Sequence, residues 1–141
     1  MADILSCSPE LAKLIGTHAA TSSTIERVFR LSTVNNLVVL RNLFVEITPK
    51  RTLEIGLGYG GSAMVFAASH RQCGKQPLAQ HTAIDPFRND WSDKPLIALE
   101  EAGLRGFLDF RPEFSSVALP ALVREGEKFE LIFIDGSHFF G

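Results

Sequence analysis

The stretch Arg51-Thr-Leu-Glu-Ile-Gly-Leu-Gly-Tyr-Gly-Gly-Ser62 leaves this chain few ways to fold. A short apolar segment runs straight into glycines at alternate positions, Gly56, Gly58 and Gly60, and then into residues that can open a helix. Glycine carries no Cβ and reaches left-handed backbone easily, so such a turn bends sharply and lets a ligand approach its main chain. A helix beginning near Gly61-Ser62 aims its unpaired N–H groups and the positive end of its dipole at the same point. Strand, turn and helix together read as a binding turn for a ligand with negative or strongly polar groups.

The rest of the chain repeats the alternation. A helix from Ser62 to about Gln72 carries Ala63, Phe66 and Ala67 and stops at Gly74, and a polar loop runs on to Gln80. His81-Thr-Ala-Ile-Asp85 is a second strand that ends in an acid followed by Pro86. Ser92 suits the cap of a helix from about Lys94 to Ala102, closed by Gly103. Gly106–Arg111 is a third strand, and Ser115 or Ser116 caps a helix reaching about Arg124. Pro120 lacks an N–H and should make that helix start late or kink. Phe129–Asp135 is a fourth strand. Strands alternating with helices imply a doubly wound α/β fold with a parallel sheet. Asp85 and Asp135 then fall at strand carboxyl ends, the edge at which such sheets bind ligands.

Ahead of this domain, residues 1–49 read as a helical lead-in, with 50–141 as the ligand-binding α/β unit. Ser8-Pro9-Glu10 is a helix start, with a short helix to about Ile15, and Ser23-Thr-Ile-Glu26 has capping-box spacing before Val28, Phe29 and Leu31. Val34, Leu37, Val38, Leu40, Leu43, Phe44 and Ile47 recur at helical spacing, with Pro49 just beyond. This lead-in carries no evident chemistry; packing or capping explains it.

Charge and composition narrow the function. A net charge of −2 at pH 7 provides no basic excess for nucleic acid. There is no apolar run of membrane-spanning length and no secretory start after Met1. Cys7 and Cys73 fit no metal spacing, so two reduced thiols in a cytoplasmic protein are expected.

Two cofactors compete for the turn. Gly56-x-Gly58-x-x-Gly61 matches the dinucleotide fingerprint in form, with Asp85 as a ribose ligand. Against it stands Glu54, two residues before the first glycine, where a dinucleotide fold keeps its strand apolar. A carboxylate there repels a pyrophosphate and suits a cationic group. Leu-Glu-Ile-Gly-Leu-Gly-Tyr-Gly-Gly-Ser resembles the first motif of class I S-adenosylmethionine-dependent methyltransferases, and four motifs from about Lys50 onward follow that family's order. The fourth strand's Ile-Asp-Gly-x-His ending looks most like the small-molecule O-methyltransferases.

The resemblance implies a role for each matching residue. Gly56, Gly58 and Gly60 would line the methionine part of S-adenosylmethionine, with Glu54 near its ammonium directly or through water, and Ser62 would bond its carboxylate. Asp85 would accept both ribose hydroxyls; Pro86 and Phe87 would flank the adenine, and Ser115 would sit at its edge. Where the family often has Gly-Asp-Ser, this chain has Glu113-Phe114-Ser115, so the acid for the adenine amino group is missing and Phe114 can only stack. Asp135 would close the site. Each residue also has a plainer explanation: glycines serve tight turns for packing alone, and Asp before Pro is a common turn residue. Tyr59 and Trp91 suit packing, and His18, His70 and His81 have no motif context.

Asp135-Gly-Ser-His138 is the constellation that can carry chemistry. Methyl transfer from a sulfonium is an in-line displacement in which positioning does much of the work, but the acceptor hydroxyl must still lose a proton. His138 is the candidate base; alternatively Asp135 and His138 help hold a divalent metal, or His138 only orders the loop. A small-molecule acceptor follows from the resemblance.

The run Leu131-Ile-Phe-Ile134 suits a strand covered on both faces, and the family order 3-2-1-4-5-7-6 puts a fourth strand mid-sheet. With four strands it would be an open apolar edge, so the sequence is expected to be a fragment or to pair there with another copy. Weak cofactor binding and little turnover by this chain alone follow. Two other functions remain: a fragment of an NAD(P)-binding oxidoreductase, and a non-catalytic interaction module.

Overall fold

The computed structural model describes residues 34–58, 60–76, 78–86 and 93–136. In chain order these form α1 (Val34–Ile47), β1 (Thr52–Ile55), α2 (Gly61–Gln72), β2 (His81–Ile84), α3 (Lys94–Glu101), a 3-10 turn (Arg105–Phe107), β3 (Leu108–Arg111), α4 (Ser115–Arg124) and β4 (Leu131–Ile134). The helix starts at Ser8 and Ser23, together with Cys7, Tyr59, Phe87, Trp91, Ser92 and His138, lie outside the described residues.

The four strands make one parallel sheet in the order β3-β2-β1-β4. Thr52 pairs with His81 on one side and Leu131 on the other, and Glu54 with Ala83 and Phe133. Strand side chains alternate between faces, so this register sorts the sheet. Thr52, Glu54, His81, Ala83, Leu131 and Phe133 point one way, and Leu53, Ile55, Ile84, Ile132 and Ile134 the other.

The first face carries the main core, where Leu37 and Phe44 of α1, Met64 and Phe66 of α2 and Leu99 of α3 meet Ala83, Leu108 and Leu131. The second face packs Leu53 and Ile84 under Ala118 and Leu122 of α4. Helices on both faces of a parallel sheet are the doubly wound arrangement expected from the alternation. The order of strands turns back between β1 and β4, and such a switch point opens a crevice at the carboxyl ends of those strands. The glycine turn sits there.

Several expected boundaries move. β3 begins at Leu108 rather than Gly106, because Phe107 N donates to Leu104 O and closes a 3-10 turn instead of entering the sheet. β4 begins at Leu131 rather than Phe129. α4 starts at Ser115 and continues through Pro120 without starting late. Pro120 removes the donor that Ser116 O would receive, and both residues are exposed, so water can serve that carbonyl.

β4 is the terminal strand of the described sheet, and its apolar run is only half covered. Leu131 is buried, whereas Ile132 and Ile134 are 52% and 63% exposed on the α4 face.

Candidate functional site at the sheet's carboxyl edge

Gly56, Gly58 and Gly60 all adopt positive φ, at 99°, 52° and 86°. The turn is therefore built from conformations that side-chain-bearing residues avoid. Gly56 is further constrained by neighbours: a Cβ there would lie 2.5 Å from the main-chain oxygen of Asp135 and 2.9 Å from Cα of Gly136. The end of β4 thus rests directly on the first glycine, and Asp135 N donates to Ile55 O at 2.9 Å. Gly60 precedes α2 with no side-chain cap on the helix, and a Cβ on it would come 3.0 Å from Cβ of Pro95 at the start of α3.

Asp85 follows β2 and is 5% exposed. Its Oδ2 accepts from Leu57 N at 2.9 Å and from Gly58 N at 3.0 Å. One carboxylate oxygen thereby fixes the conformation of the turn. The plainer reading of Asp85, a residue of its own local turn before Pro86, misses this contact across the crevice.

Glu54 is placed differently from a residue at the mouth of the turn. Strand alternation puts it on the face under α2, where it is fully buried. Its Oε2 accepts from the Ser62 hydroxyl, and its Oε1 lies 3.1 Å from Nε2 of His81, though not aligned as a hydrogen bond. Ser62, on the first turn of α2, therefore directs its hydroxyl to Glu54 rather than outward to a ligand carboxylate.

Phe114 and Ser115 stand at the start of α4, with the Phe114 side chain 61% exposed. Asp85 N donates to Arg111 O at 3.1 Å, which ties the β2 end to the segment leading into α4. Pro86 is half-buried and Asp135 exposed at the same edge. The structure thus gathers the glycines, Asp85, Pro86, Phe114, Ser115 and Asp135 along one sheet edge and sets Glu54 and Ser62 just beneath it. Among the described residues no group of three or more His, Cys, Asp or Glu is arranged to hold a metal ion.

The sequence leaves His70 and His81 as structural or solvated. Both rings are fully buried. His81 Nδ1 lies 2.8 Å and His70 Nε2 2.9 Å from the Thr52 hydroxyl, and Lys75 Nζ lies 2.9 Å from His70 Nδ1. The available signal was phase: His81 is two residues from Ala83 on its strand, and His70 is one helical turn beyond Phe66. Phe66 stacks on His81 with ring centroids 4.7 Å apart, and Phe44 meets His70 edge-on at 4.8 Å.

Burial above all, with the neighbouring Lys75 ammonium adding to it, pushes the His70 pKa from 6.5 down to about 3. Between those values the unfolded chain holds a proton that the folded chain lacks, so folding stability falls as pH drops from 6.5 toward 3. At pH 4.5 this one group costs about 2–3 kcal/mol relative to neutral pH. Urea unfolding at pH 7 and pH 4.5 checks it: His70→Gln should narrow the difference by about that amount. An unchanged difference would show that His70 does not carry the acid sensitivity.

Comparison with known proteins agrees with this architecture. Residues 53–140 match a family profile described as a methyltransferase domain. Among solved structures, the chain is similar to the O-methyltransferase TomG from Streptomyces achromogenes, involved in tomaymycin synthesis and solved in complex with SAM. The TM-score is 0.66 at 17% identity, covering 88% of this chain and 59% of TomG. A Klebsiella pneumoniae protein that carries O-methyltransferase as a provisional name matches with a TM-score of 0.59 at 23% identity, covering 93% of this chain and 61% of its own. The chain thus spans about three-fifths of the length of these two structures. No curated protein is significantly similar in sequence.

Proposed function

The chain belongs to the methyltransferase domain family, and on that premise we propose that its glycine turn binds S-adenosylmethionine for methyl transfer to an oxygen of a small molecule. The observation that carries this reading is the Asp85 carboxylate, bonded to the backbone of the glycine turn at the switch point of the sheet. The charge of the site supports the choice of cofactor. The Glu54 carboxylate beneath the turn is favourable to a cationic sulfonium and ammonium and unfavourable to the pyrophosphate of NAD, whereas Asp85 suits the ribose of either cofactor. The SAM bound in TomG points the same way.

When bound, the cofactor supplies an electrophilic methyl group on sulfur. The chain's residues hold it. Asp85 accepts the ribose hydroxyls with the carboxylate that also fixes the turn, so ribose binding and turn geometry are coupled. The uncapped start of α2 receives the methionine carboxylate through backbone N–H groups, since the Ser62 hydroxyl is already donated to Glu54. Glu54 acts on the ammonium from below, by charge. Pro86, Phe87 and Phe114 flank the adenine, with Ser115 at its edge. For the acceptor, His138 would take the proton of the hydroxyl and Asp135 would border the reacting centre.

Among the described residues no helix is long and apolar enough to cross a membrane. We place the protein in the cytoplasm, with residues 1–49 as a helical segment before the cofactor domain, no nucleic-acid partner, and self-association through β4, the terminal strand of the described sheet. Isothermal titration of the chain with S-adenosylhomocysteine and with NAD tests the reading. Weak but measurable binding of the first and none of the second is expected; preference for NAD would overturn it. No nucleotide binding together with a concentration-dependent oligomer would favour an interaction module instead.

A further inference from the structure

Beneath the glycine turn lies a buried polar chain of which the proposed chemistry uses only the end, Glu54 and Ser62. It runs from Lys75, past the C-terminal end of α2, through His70, Thr52 and His81 to Glu54 and Ser62. Thr52, His70, His81 and Glu54 are all fully buried. Lys75 is remote from the turn, because the twelve residues of α2 span about 18 Å.

We propose that Lys75, His70, Thr52 and His81 are positioning residues for Glu54: a one-way chain of hydrogen bonds from Lys75 to His81 that keeps a proton of His81 facing the Glu54 carboxylate, in close contact though not hydrogen-bonded to it, and so holds the turn ready for its ligand. The direction follows from donor chemistry. The Lys75 ammonium has no acceptor lone pair and is also donated to the main-chain oxygens of Pro49 and Lys50. Nδ1 of His70 must then accept, and the single proton of this neutral ring sits on Nε2. Thr52 Oγ1 accepts that proton and has one of its own to give, which goes to Nδ1 of His81. The proton of His81 is thereby left on Nε2, facing Glu54 Oε1. At the far end the Ser62 hydroxyl donates to Oε2.

Removing the Lys75 donor frees every link to reverse. Where the His70 proton then moves to Nδ1, Thr52 turns its hydroxyl to His70, and His81 donates from Nδ1 to Thr52. A ring lone pair now faces the Glu54 carboxylate, a repulsive contact in a buried place. Phe66 and Phe44 pack against the two rings, so a change of tautomer is easier than rotation of either ring. Glu54 then shifts, and with it Ser62 and the first turn of α2.

The functional half of this inference rests on the cofactor reading above; the tautomer half does not. The test is nitrogen–proton correlation spectroscopy of the histidine rings in the 141-residue chain near neutral pH, alongside titration with S-adenosylhomocysteine. In the wild type, His81 should carry its proton on Nε2 alone. In Lys75→Met a share of it should appear on Nδ1 and affinity should fall by up to about tenfold, the size of one disturbed contact to a buried charge. Lys75→Arg keeps a donor and should restore both. An unchanged His81 tautomer in Lys75→Met overturns the relay, as does a wild-type His81 protonated on Nδ1 or on both nitrogens. That wild-type spectrum decides alone should Lys75→Met not fold. A tautomer switch with unchanged affinity overturns the positioning role. Absence of binding by the wild type overturns the cofactor reading, while the tautomer result still decides the relay.

Discussion

Gly56→Ala is expected to destabilise the fold more than any other single change in the glycine turn, by about 3–5 kcal/mol. Two independent costs add at this position. The backbone has φ of 99°, which a residue with a Cβ adopts only with strain. The new methyl would also lie 2.5 Å from Asp135 O and 2.8 Å from Asp135 C, both main-chain atoms of the neighbouring strand. Neither can swing aside as the tip of a side chain would, so the end of β4 must move off β1, against the bond from Asp135 N to Ile55 O. Domains of this size are stable by only about 5–15 kcal/mol in all, so a large part of the folded population is at stake. Gly74→Ala provides the control. Its φ of 73° is also left-handed, but nothing lies within 4 Å of the added methyl, so only the backbone cost of about 1 kcal/mol should appear. Urea midpoints by circular dichroism compare the two directly. Equal losses would mean that close approach of β4 to Gly56 contributes nothing.

The same residues show which parts of the fold were legible beforehand. β1 falls at Thr52–Ile55, where two independent signals coincide, an apolar segment and the glycines that end it. α1 followed from seven apolar residues at one spacing and a proline after them. β4 was extended too far because Phe129 is apolar for another reason: it packs beside the α4 cluster and under the Arg51 guanidinium, 5.4 Å from its ring centre, without pairing in the sheet. Composition cannot separate packing from pairing at a strand end. Glu54 is more instructive. Its identity suggested a ligand contact, yet alternation from Thr52 already assigned it to the α2 face. The histidines were harder, since a solvated and a buried imidazole look alike until the partner strand's register brings His81 beside Thr52. Gathering Asp85, Ser115 and Asp135 on one edge required only the parallel sheet; the Asp85 bonds to Leu57 and Gly58 required coordinates.

Those bonds make Asp85 the residue where stability and ligand binding can be separated. Oδ2 accepts two backbone N–H groups of the turn. Asp85→Ala leaves both donors without their acceptor in a place that is 5% exposed, and a buried donor left unmade costs about 1–3 kcal/mol. The expected loss is about 2–4 kcal/mol for the pair, since a turn that relaxes lets water reach one of them. Asp85→Asn differs in a useful way. Its side-chain carbonyl can accept the same two N–H groups, so stability should fall by no more than about 1 kcal/mol. What the amide lacks is the charge and the second acceptor oxygen, and a ribose diol needs an acceptor for each hydroxyl. Affinity for S-adenosylhomocysteine should therefore drop about 30-fold or more in both variants, from the loss of one or two charge-assisted hydrogen bonds. Thermal unfolding and isothermal titration on the same samples separate the outcomes. A stable Asp85→Asn that binds as the wild type does would remove Asp85 from the ribose site and leave it the builder of the turn alone. A stable Asp85→Asn that no longer binds would tie the ribose to the carboxylate that shapes the glycine turn.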